Sequence, residues 1–506
     1  MGGRRWAGTL AALLLGAALN VHTALAVEPL ADPRPVLRKL IPYTLADMNH
    51  DVAGKRMEEI TGYRVAYDVL PQDDPTPKLL FEVATGADYD IIKCTTEQFM
   101  ALKNQGALVD LAPYLAAYGS HLGLDTTALR NQLVLGEGGE VYGLPLINNP
   151  TMENPYGMIR HGLAFRSDML RELGLPLPRT LEELTACLRR IHEHTGVGPL
   201  TIAAGPGTVW VLPILSAYGL GEAEWYLRDG ALVPRVRMPG MEEYLAYLQM
   251  LYREGLLEAE FPINKTENTI EKMATGRAYV TTMYFWDIPT LKEAFEAAGL
   301  DSGVEMAGTL RKDSRTPACY YVDYGIYYVF CIPKSARHVA DAVHYLNLQS
   351  APETFLLTYL GVEGEQYEVR DGQYHPLLPG FEEYLNAAQY TALSPQGNEF
   401  IYWQARARKT PEMSKAYDQM NGEIGNLTLI PDKSSYAFGQ PGTQARADLN
   451  KLMGDMLLEA IISDVSPQEA LQRMTGVWEA GGGLAFEQAM NAWYQRNKDD
   501  EALAQP

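Results

Sequence analysis

The chain has 506 residues, a net charge of −21 and 47% hydrophobic residues. A surface this acidic repels phosphate backbones and anionic lipid head groups, so we expect no nucleic-acid partner and no attachment to a membrane surface. The length exceeds what one hydrophobic core supports, and two or more lobes are expected in a monomer. The 30 tyrosines combine a flat apolar face with a polar edge, which suits polyhydroxylated ligands.

The first 26 residues are typical of an export signal. Arg4 and Arg5 precede an apolar run at 7–19, and small residues follow at 24–26. The run is shorter than the roughly 20 apolar residues of a membrane span, which favours a cleaved signal; a buried N-terminal helix is the alternative. The mature chain then begins near Val27, carries a charge of −23 because two arginines are lost, and is periplasmic, secreted or on the cell surface. No cysteine lies at the cleavage site, so no lipid anchor is expected.

Strands alternate with helices in the next part of the chain. The predicted strands are 37–44, 63–70 and 89–92, and the predicted helices are 47–60, 77–85 and 96–105. This alternation predicts parallel βαβ units. Ligands bind beyond the carboxyl ends of the strands in such sheets, so 44–49 and 93–98 are candidate binding loops.

A second unit begins near residue 150. Ser167 is expected to cap a short helix at 168–173, and Thr180 with Glu183 forms a capping box that opens a longer helix. The C-terminal third is helical, and Ser466 is expected to cap one of its helices. Further predicted helices are 240–253, 266–274, 339–348, 443–462 and 485–494.

The four cysteines are Cys94, Cys187, Cys319 and Cys331, and none has CxxC spacing, which excludes zinc ribbons and thioredoxin-like chemistry. Export permits disulfides. Cys319 and Cys331 are the only close pair and flank a possible hairpin. A bridge between them and free thiols are both open.

The sequence gives no positive sign of an enzyme or of a cofactor. His192 and His194 are two residues apart and do not share a helix face, which favours a solvated helix end over a metal site. No GxSxG motif occurs, and the glycines at 205–208 are not followed by Lys-Ser or Lys-Thr. A glycosidase carboxylate pair stays open among the 63 acidic residues.

Several stretches have the order and spacing of a known family. In the first half they are MEEITGYRV (57–65), ATGADYDII (84–92), QGALVDL (105–111) and GEVYGLP (139–145). In the second half they are FRSDML (165–170), LGLP (173–176), PRTLEEL (178–184), MATGRA (273–278), LGVEGEQY (360–367) and NAWY (491–494). The set resembles the extracellular solute-binding proteins of carbohydrate ABC importers, the family of maltose-binding protein. It is most similar to the larger oligosaccharide-binding lipoproteins of Gram-positive bacteria.

The resemblance implies an α/β, two-lobed periplasmic-binding-protein fold of type II, with a hinge and a helical C-terminal part. Lobe 1 would take 27–147 with 325–375 returning to it, and lobe 2 would take 148–324 with 376–506. The lobes would close on a ligand by rotation. Large family members often carry a calcium loop where this chain has only 194–199, and calcium needs six or more oxygen ligands, so we expect no metal there.

The resemblance also implies ligand-binding residues in lobe 2. Trp286 aligns, without gaps after Gly276, with a tryptophan that stacks on sugar in the family; packing in the core is the alternative. Asp287 beside it is expected to accept hydrogen bonds from hydroxyl groups. Trp210 lies near the family's aromatic ligand residues, with core packing equally open.

Lobe 1 supplies polar candidates after its strands. Thr95, Glu97 and Gln98 follow the third strand, and Asp47 and Asn49 follow the first. Helix capping is the alternative role for Asp47.

Three further candidates are Asn149 at the first crossing between lobes, Tyr324 and Trp403. Hinge shaping is the alternative for Asn149, strand and hinge packing for Tyr324, and core packing for Trp403.

The implied function is capture of a carbohydrate, expected to be an oligosaccharide, and its delivery to an ABC permease without chemical change. The alternatives are a secreted carbohydrate-active enzyme and a sensory binding protein that docks a receptor. Hydroxyl patterns are recognised by a few loop residues, so the sequence does not name the sugar. A peptide, a lipid-linked sugar or a polyol also stays open as the ligand.

Overall fold

The computed structural model describes residues 27–44, 47–71, 75–124, 128–147, 158–204, 210–322, 325–381, 390, 399–437 and 443–504. The expected export signal, 1–26, lies outside the described residues. Within them, no helix combines the length and hydrophobicity of a membrane span. The strands are β1 (Leu37–Ile41), β2 (Val65–Val69), β3 (Ile91–Cys94), β4 (Leu144–Ile147), β5 (His161–Arg166), β6 (Leu200–Thr201), β7 (Trp225–Arg228), β8 (Ala231–Pro234), β9 (Val280–Tyr284), β10 (Val304–Ala307), β11 (Cys319–Val322), β12 (Ile326–Cys331), β13 (Tyr367–Arg370), β14 (Gln373–Pro376) and β15 (Thr428–Pro431).

Within the described residues, the α-helices lie between these strands and after them. They are α1 (Val52–Thr61), α2 (Pro75–Ala84), α3 (Thr96–Asn104), α4 (Ala112–Tyr118), α5 (Ala128–Asn131), α6 (Ser167–Leu173), α7 (Leu181–Thr195), α8 (Leu212–Ala217), α9 (Gly240–Arg253), α10 (Thr266–Thr275), α11 (Ile288–Ala297), α12 (Val339–Ser350), α13 (Pro352–Tyr359), α14 (Glu399–Ala407), α15 (Pro411–Asn421), α16 (Thr443–Ile462), α17 (Pro467–Ala480), α18 (Gly483–Asn497) and α19 (Glu501–Ala504).

Lobe 1 is built on a five-stranded sheet with the order β2-β1-β3-β12-β4. β1 is parallel to β2 and β3, as the predicted βαβ units require. β12 comes from a distant part of the chain and lies between β3 and the edge strand β4, antiparallel to both. The predicted strands and helices of the N-terminal part are therefore confirmed, with ends shifted by a few residues.

Lobe 2 is built on a four-stranded sheet with the order β10-β5-β9-β6, in which β5 is antiparallel to both β9 and β10. One large hydrophobic cluster surrounds this sheet and includes Phe165, Val280 and Leu245. Trp478 of α17 and Trp493 of α18 belong to the same cluster. The C-terminal helices therefore complete the core of lobe 2.

Helix α14 contacts both cores. Ala405 packs in the lobe 1 cluster with Ile41 and Tyr359, and the Arg406 guanidinium donates a hydrogen bond to the Tyr359 carbonyl at 3.2 Å. Trp403, on the same helix, packs against the clusters of both lobes. The expected division of the chain at residues 375 and 376 stays a prediction.

The hairpin considered for the segment between Cys319 and Cys331 is wrong. β11 pairs in parallel with β15, with Cys319 opposite Thr428, whereas β12 belongs to the sheet of lobe 1. The two cysteines therefore lie in different sheets. The structure joins none of the four cysteines by a disulfide.

The capping predictions had mixed outcomes. The box of Thr180 and Glu183 is present at the start of α7, and Ser466 caps α17. The predicted cap at Ser167 is wrong, because α6 begins at Ser167 itself and its hydroxyl accepts a hydrogen bond from the Gly303 N–H at 2.8 Å.

Candidate functional site

Four aromatic side chains form a continuous series of ring contacts, which we call the aromatic wall: His161, Tyr284, Trp286 and Trp403. His161 at the start of β5 lies opposite Tyr284 at the end of β9, and their ring centroids are 4.8 Å apart. The Tyr284 ring lies parallel to that of Trp286, at 4.4 Å and an interplanar angle of 8°. The Trp286 and Trp403 rings meet edge to face at 6.3 Å.

The local backbone explains why two of these rings face outward. Phe285 is fully buried, and its N–H donates to the Arg160 carbonyl at 3.1 Å. Side chains alternate in direction at the end of a strand, so Tyr284 and Trp286 on either side of Phe285 point away from the core. Each of them is 39% exposed.

A cavity of about 180 Å³ opens beside the wall. Its lining includes His161, Trp210, Thr281, Tyr284 and Asp287. Two of the residues predicted from the sequence, Trp210 and Asp287, thus share one cavity. The third, Trp286, is next to it through its stacking on Tyr284.

Several of the polar groups that line the cavity are buried away from water. Burial lowers the pKa of His161 to about 4, so its imidazole is neutral near pH 7. Burial also raises the pKa of Asp287, although the Tyr284 N–H opposes the shift. His161 Nδ1 and Thr281 Oγ1 are buried without a hydrogen-bond partner among the described residues. Buried polar atoms without partners cost free energy, so both are suited to bind a hydroxyl group.

Trp210 is half-buried, packs against neighbouring side chains and also borders the cavity, and its contact with a ligand stays a prediction. The Arg235 guanidinium lies 4.1 Å from the centroid of its ring, and the Tyr244 ring stacks on it at 6.5 Å. Part of the indole nevertheless lines the cavity.

Trp403 also combines packing with a place in the wall. It is half-buried between the two cores, while its ring meets that of Trp286. The Arg160 guanidinium lies 6.0 Å from its centroid.

The lobe 1 candidates after β3 have local partners. Thr95 and Gln98 form a capping box at the start of α3. The amide of Gln98 also donates to the Thr76 hydroxyl at 3.2 Å. Glu97 is exposed in the first turn of the helix.

The candidates after β1 are likewise engaged locally. Asp47 pairs with His50 at 2.8 Å and does not cap α1, because Asp51 is the cap. The Asn49 amide donates to the Tyr67 carbonyl at 3.0 Å and accepts from its N–H at 2.9 Å. Neither these residues nor the three after β3 line the cavity beside the wall, and their contact with a ligand stays a prediction.

Asn149 and Tyr324 lie outside the described residues. No group of three or more His, Cys, Asp or Glu side chains within the described ranges is placed to hold a metal ion.

Sequence reasoning missed His161, Tyr284 and Thr281. Tyr284 could have been predicted, because it lies two residues before Trp286 and the period of a strand puts both on one face. His161 was not, because its position depends on pairing with a strand more than 100 residues away in the sequence.

The fold and the site together define a solute-binding protein. The family model for bacterial extracellular solute-binding proteins matches residues 50–354, and the chain belongs to this family. Lipoprotein LipO of Bacillus subtilis (strain 168) is 22% identical, over 98% of this chain and 99% of LipO.

Solved structures show the same two-lobed fold. The Streptococcus pneumoniae ABC-transporter substrate-binding protein FusA in complex with kestose has a TM-score of 0.64 and 15% identity, over 91% of this chain and 99% of FusA. The HMO-binding, ABC-transporter-associated protein from Bifidobacterium longum infantis has a TM-score of 0.62 and 14% identity, over 91% and 98%. The predicted fold class and family resemblance are confirmed.

Proposed function

We propose that this protein is exported, captures a carbohydrate between its lobes against the aromatic wall, and delivers it unchanged to an ABC permease. The observation that carries the proposal is the pair Tyr284 and Trp286, two parallel rings that are each 39% exposed. The ligand class that we favour is an oligosaccharide.

The chemistry of the wall and its cavity fits such a ligand. A sugar ring has an apolar face of C–H groups that packs on an aromatic ring, and hydroxyl groups at its rim that need hydrogen bonds. The exposed faces of Tyr284 and Trp286 would provide the packing. His161, Thr281 and Asp287 would provide donors and acceptors beside it.

The comparisons support the same ligand class. The solute-binding proteins with known structures include one in complex with kestose and one described as HMO-binding. The family and these structures are binding proteins rather than enzymes, which supports capture over turnover.

The experiment is isothermal titration calorimetry on the wild type and on Trp286→Ala, with the oligosaccharide that gives the largest shift in a thermal screen of neutral glycans and kestose. We expect Trp286→Ala to weaken binding at least about tenfold, or about 1.4 kcal/mol, because one stacking face is lost. Phe81→Ala is the matched control, since Phe81 is 68% exposed on α2 of lobe 1, away from the wall.

Equal affinity in the wild type and Trp286→Ala would show that the aromatic wall is not part of the binding site. Failure of every glycan to bind would refute the ligand class, and release of new reducing ends would favour the carbohydrate-active enzyme.

A further inference from the structure

Two of the four cysteines meet inside lobe 1. The sulfur atoms of Cys94 on β3 and Cys331 on β12 lie 3.9 Å apart, and both residues are buried. Cys94 lies opposite Val329, and Cys331 lies two residues further along β12, so the two side chains point to the same face of the sheet. The other two cysteines are elsewhere: Cys187 packs in lobe 2 and Cys319 lies on β11.

We propose that Cys94 and Cys331 form a disulfide bond that joins β3 to β12 in the exported protein. A disulfide has an S–S distance of about 2.05 Å, so the sulfur atoms must approach by about 2 Å. Because the two residues are diagonal neighbours across β3 and β12, this approach requires rotation of both side chains together with a small shift of the strands. Their surroundings are apolar, since both belong to a cluster with Leu40 and Ile92.

The oxidant is a protein or small-molecule disulfide of the compartment outside the cytoplasm. One cysteine thiolate attacks that disulfide and releases a thiol, which leaves a mixed disulfide on the chain. The second cysteine then displaces the remaining thiol. In total, two cysteine thiols lose their hydrogens and one disulfide becomes two thiols.

Burial decides when this exchange takes place. The hydrogen bond to Cys331 and burial both raise the pKa of Cys94 in the folded lobe, so little nucleophilic thiolate is present there. The bond therefore forms during folding, before β12 closes over β3. Once formed, it is protected from reductants by the same burial.

The bond has a large topological effect. Cys94 and Cys331 are 237 residues apart, and the sheet of lobe 2 is built from strands that lie between them. A cross-link over so long a loop restricts the unfolded chain strongly. It fixes the strand that returns from lobe 2 within the sheet of lobe 1.

The test uses the full-length protein refolded from the fully reduced state, once with a mixture of oxidised and reduced glutathione and once with dithiothreitol. Free thiols are counted in denaturant, and the intact mass and the linked peptides are measured. We expect the oxidised sample to retain two thiols, those of Cys187 and Cys319, and to be lighter by about 2 Da. We also expect the sample refolded in dithiothreitol to have a lower denaturation midpoint than the oxidised sample.

The variants distinguish the effect of the Cys94–Cys331 bond from effects of the other thiols. Cys187→Ser should still form the link, whereas Cys94→Ser should not. The double variant Cys94→Ala and Cys331→Ala should have a midpoint that dithiothreitol does not change. Four free thiols in the oxidised wild type, or a peptide that links Cys331 to Cys319, would overturn the proposal.

Discussion

Lys39 is a fully buried lysine in the middle of β1, and its Nζ has no hydrogen-bond partner among the described residues. The ammonium lies 5.1 Å from the centroid of the Phe330 ring and 5.7 Å from that of Tyr67. Burial, together with repulsion from Lys93, lowers the pKa of Lys39 to about 7. The rings offset only part of the cost of burying the charge.

We predict that Lys39→Met stabilises the protein and changes its pH dependence. Unfolded Lys39 regains its ordinary pKa near 10.5, so between pH 7 and 10.5 the unfolded state binds more protons and stability rises with pH. Below pH 7 the free-energy cost of burying the charged ammonium of Lys39 is fully present. The variant should gain roughly 3 to 5 kcal/mol at pH 6 and much less at pH 10, measured by urea unfolding.

The exposed Lys451 of α16 gives the matched control, Lys451→Met, which should leave the free energy of unfolding within about 0.5 kcal/mol at both pH values. An equal gain for Lys39→Met at pH 6 and pH 10 would contradict the role assigned to the buried charge.

At the scale of elements, the sequence predicted best what depends on local signals. The box of Thr180 and Glu183 located the start of α7, and short apolar or alternating runs located β1 to β3. The pairing of β11 with β15 was not predicted, because it joins segments more than 100 residues apart. The candidate site divides in the same way: Trp286 follows from one strand end, whereas His161 requires the register between β5 and β9.

We predict that Thr180→Ala destabilises the protein by about 1 kcal/mol in urea unfolding. The Thr180 hydroxyl accepts the Glu183 N–H at 3.2 Å, and alanine leaves that donor without its partner. Thr275→Ala is the control, since Thr275 ends the helix α10 and should change stability by less than about 0.5 kcal/mol. Equal effects of the two substitutions would show that the capping bond is not the cause.

At the scale of the molecule, the hydrophobic clusters of the two lobes meet at α14. A ligand that contacts both lobes favours the closed arrangement only by the difference between its affinities for the closed and open forms. The aromatic wall lies where α14 meets lobe 2, because Trp403 belongs to both the helix and the wall. We therefore expect binding and closure to be coupled.

We predict that the carbohydrate identified by calorimetry lowers the radius of gyration in small-angle X-ray scattering and raises the melting temperature. At a ligand concentration 100-fold above Kd, the stabilisation should be about 2.7 kcal/mol. Trp286→Ala at the same concentration should show both effects reduced. A higher melting temperature with an unchanged radius of gyration would indicate binding without closure.

The place of β12 has a consequence for biosynthesis. This strand lies between β3 and β4, yet it ends at Cys331, so a ribosome must make the strands of the other lobe before β4 can join the first sheet through β12. Domains otherwise tend to fold from the N-terminus as they emerge. We expect the missing strand to delay that early folding and to keep the nascent chain open for longer, which would suit the proposed export.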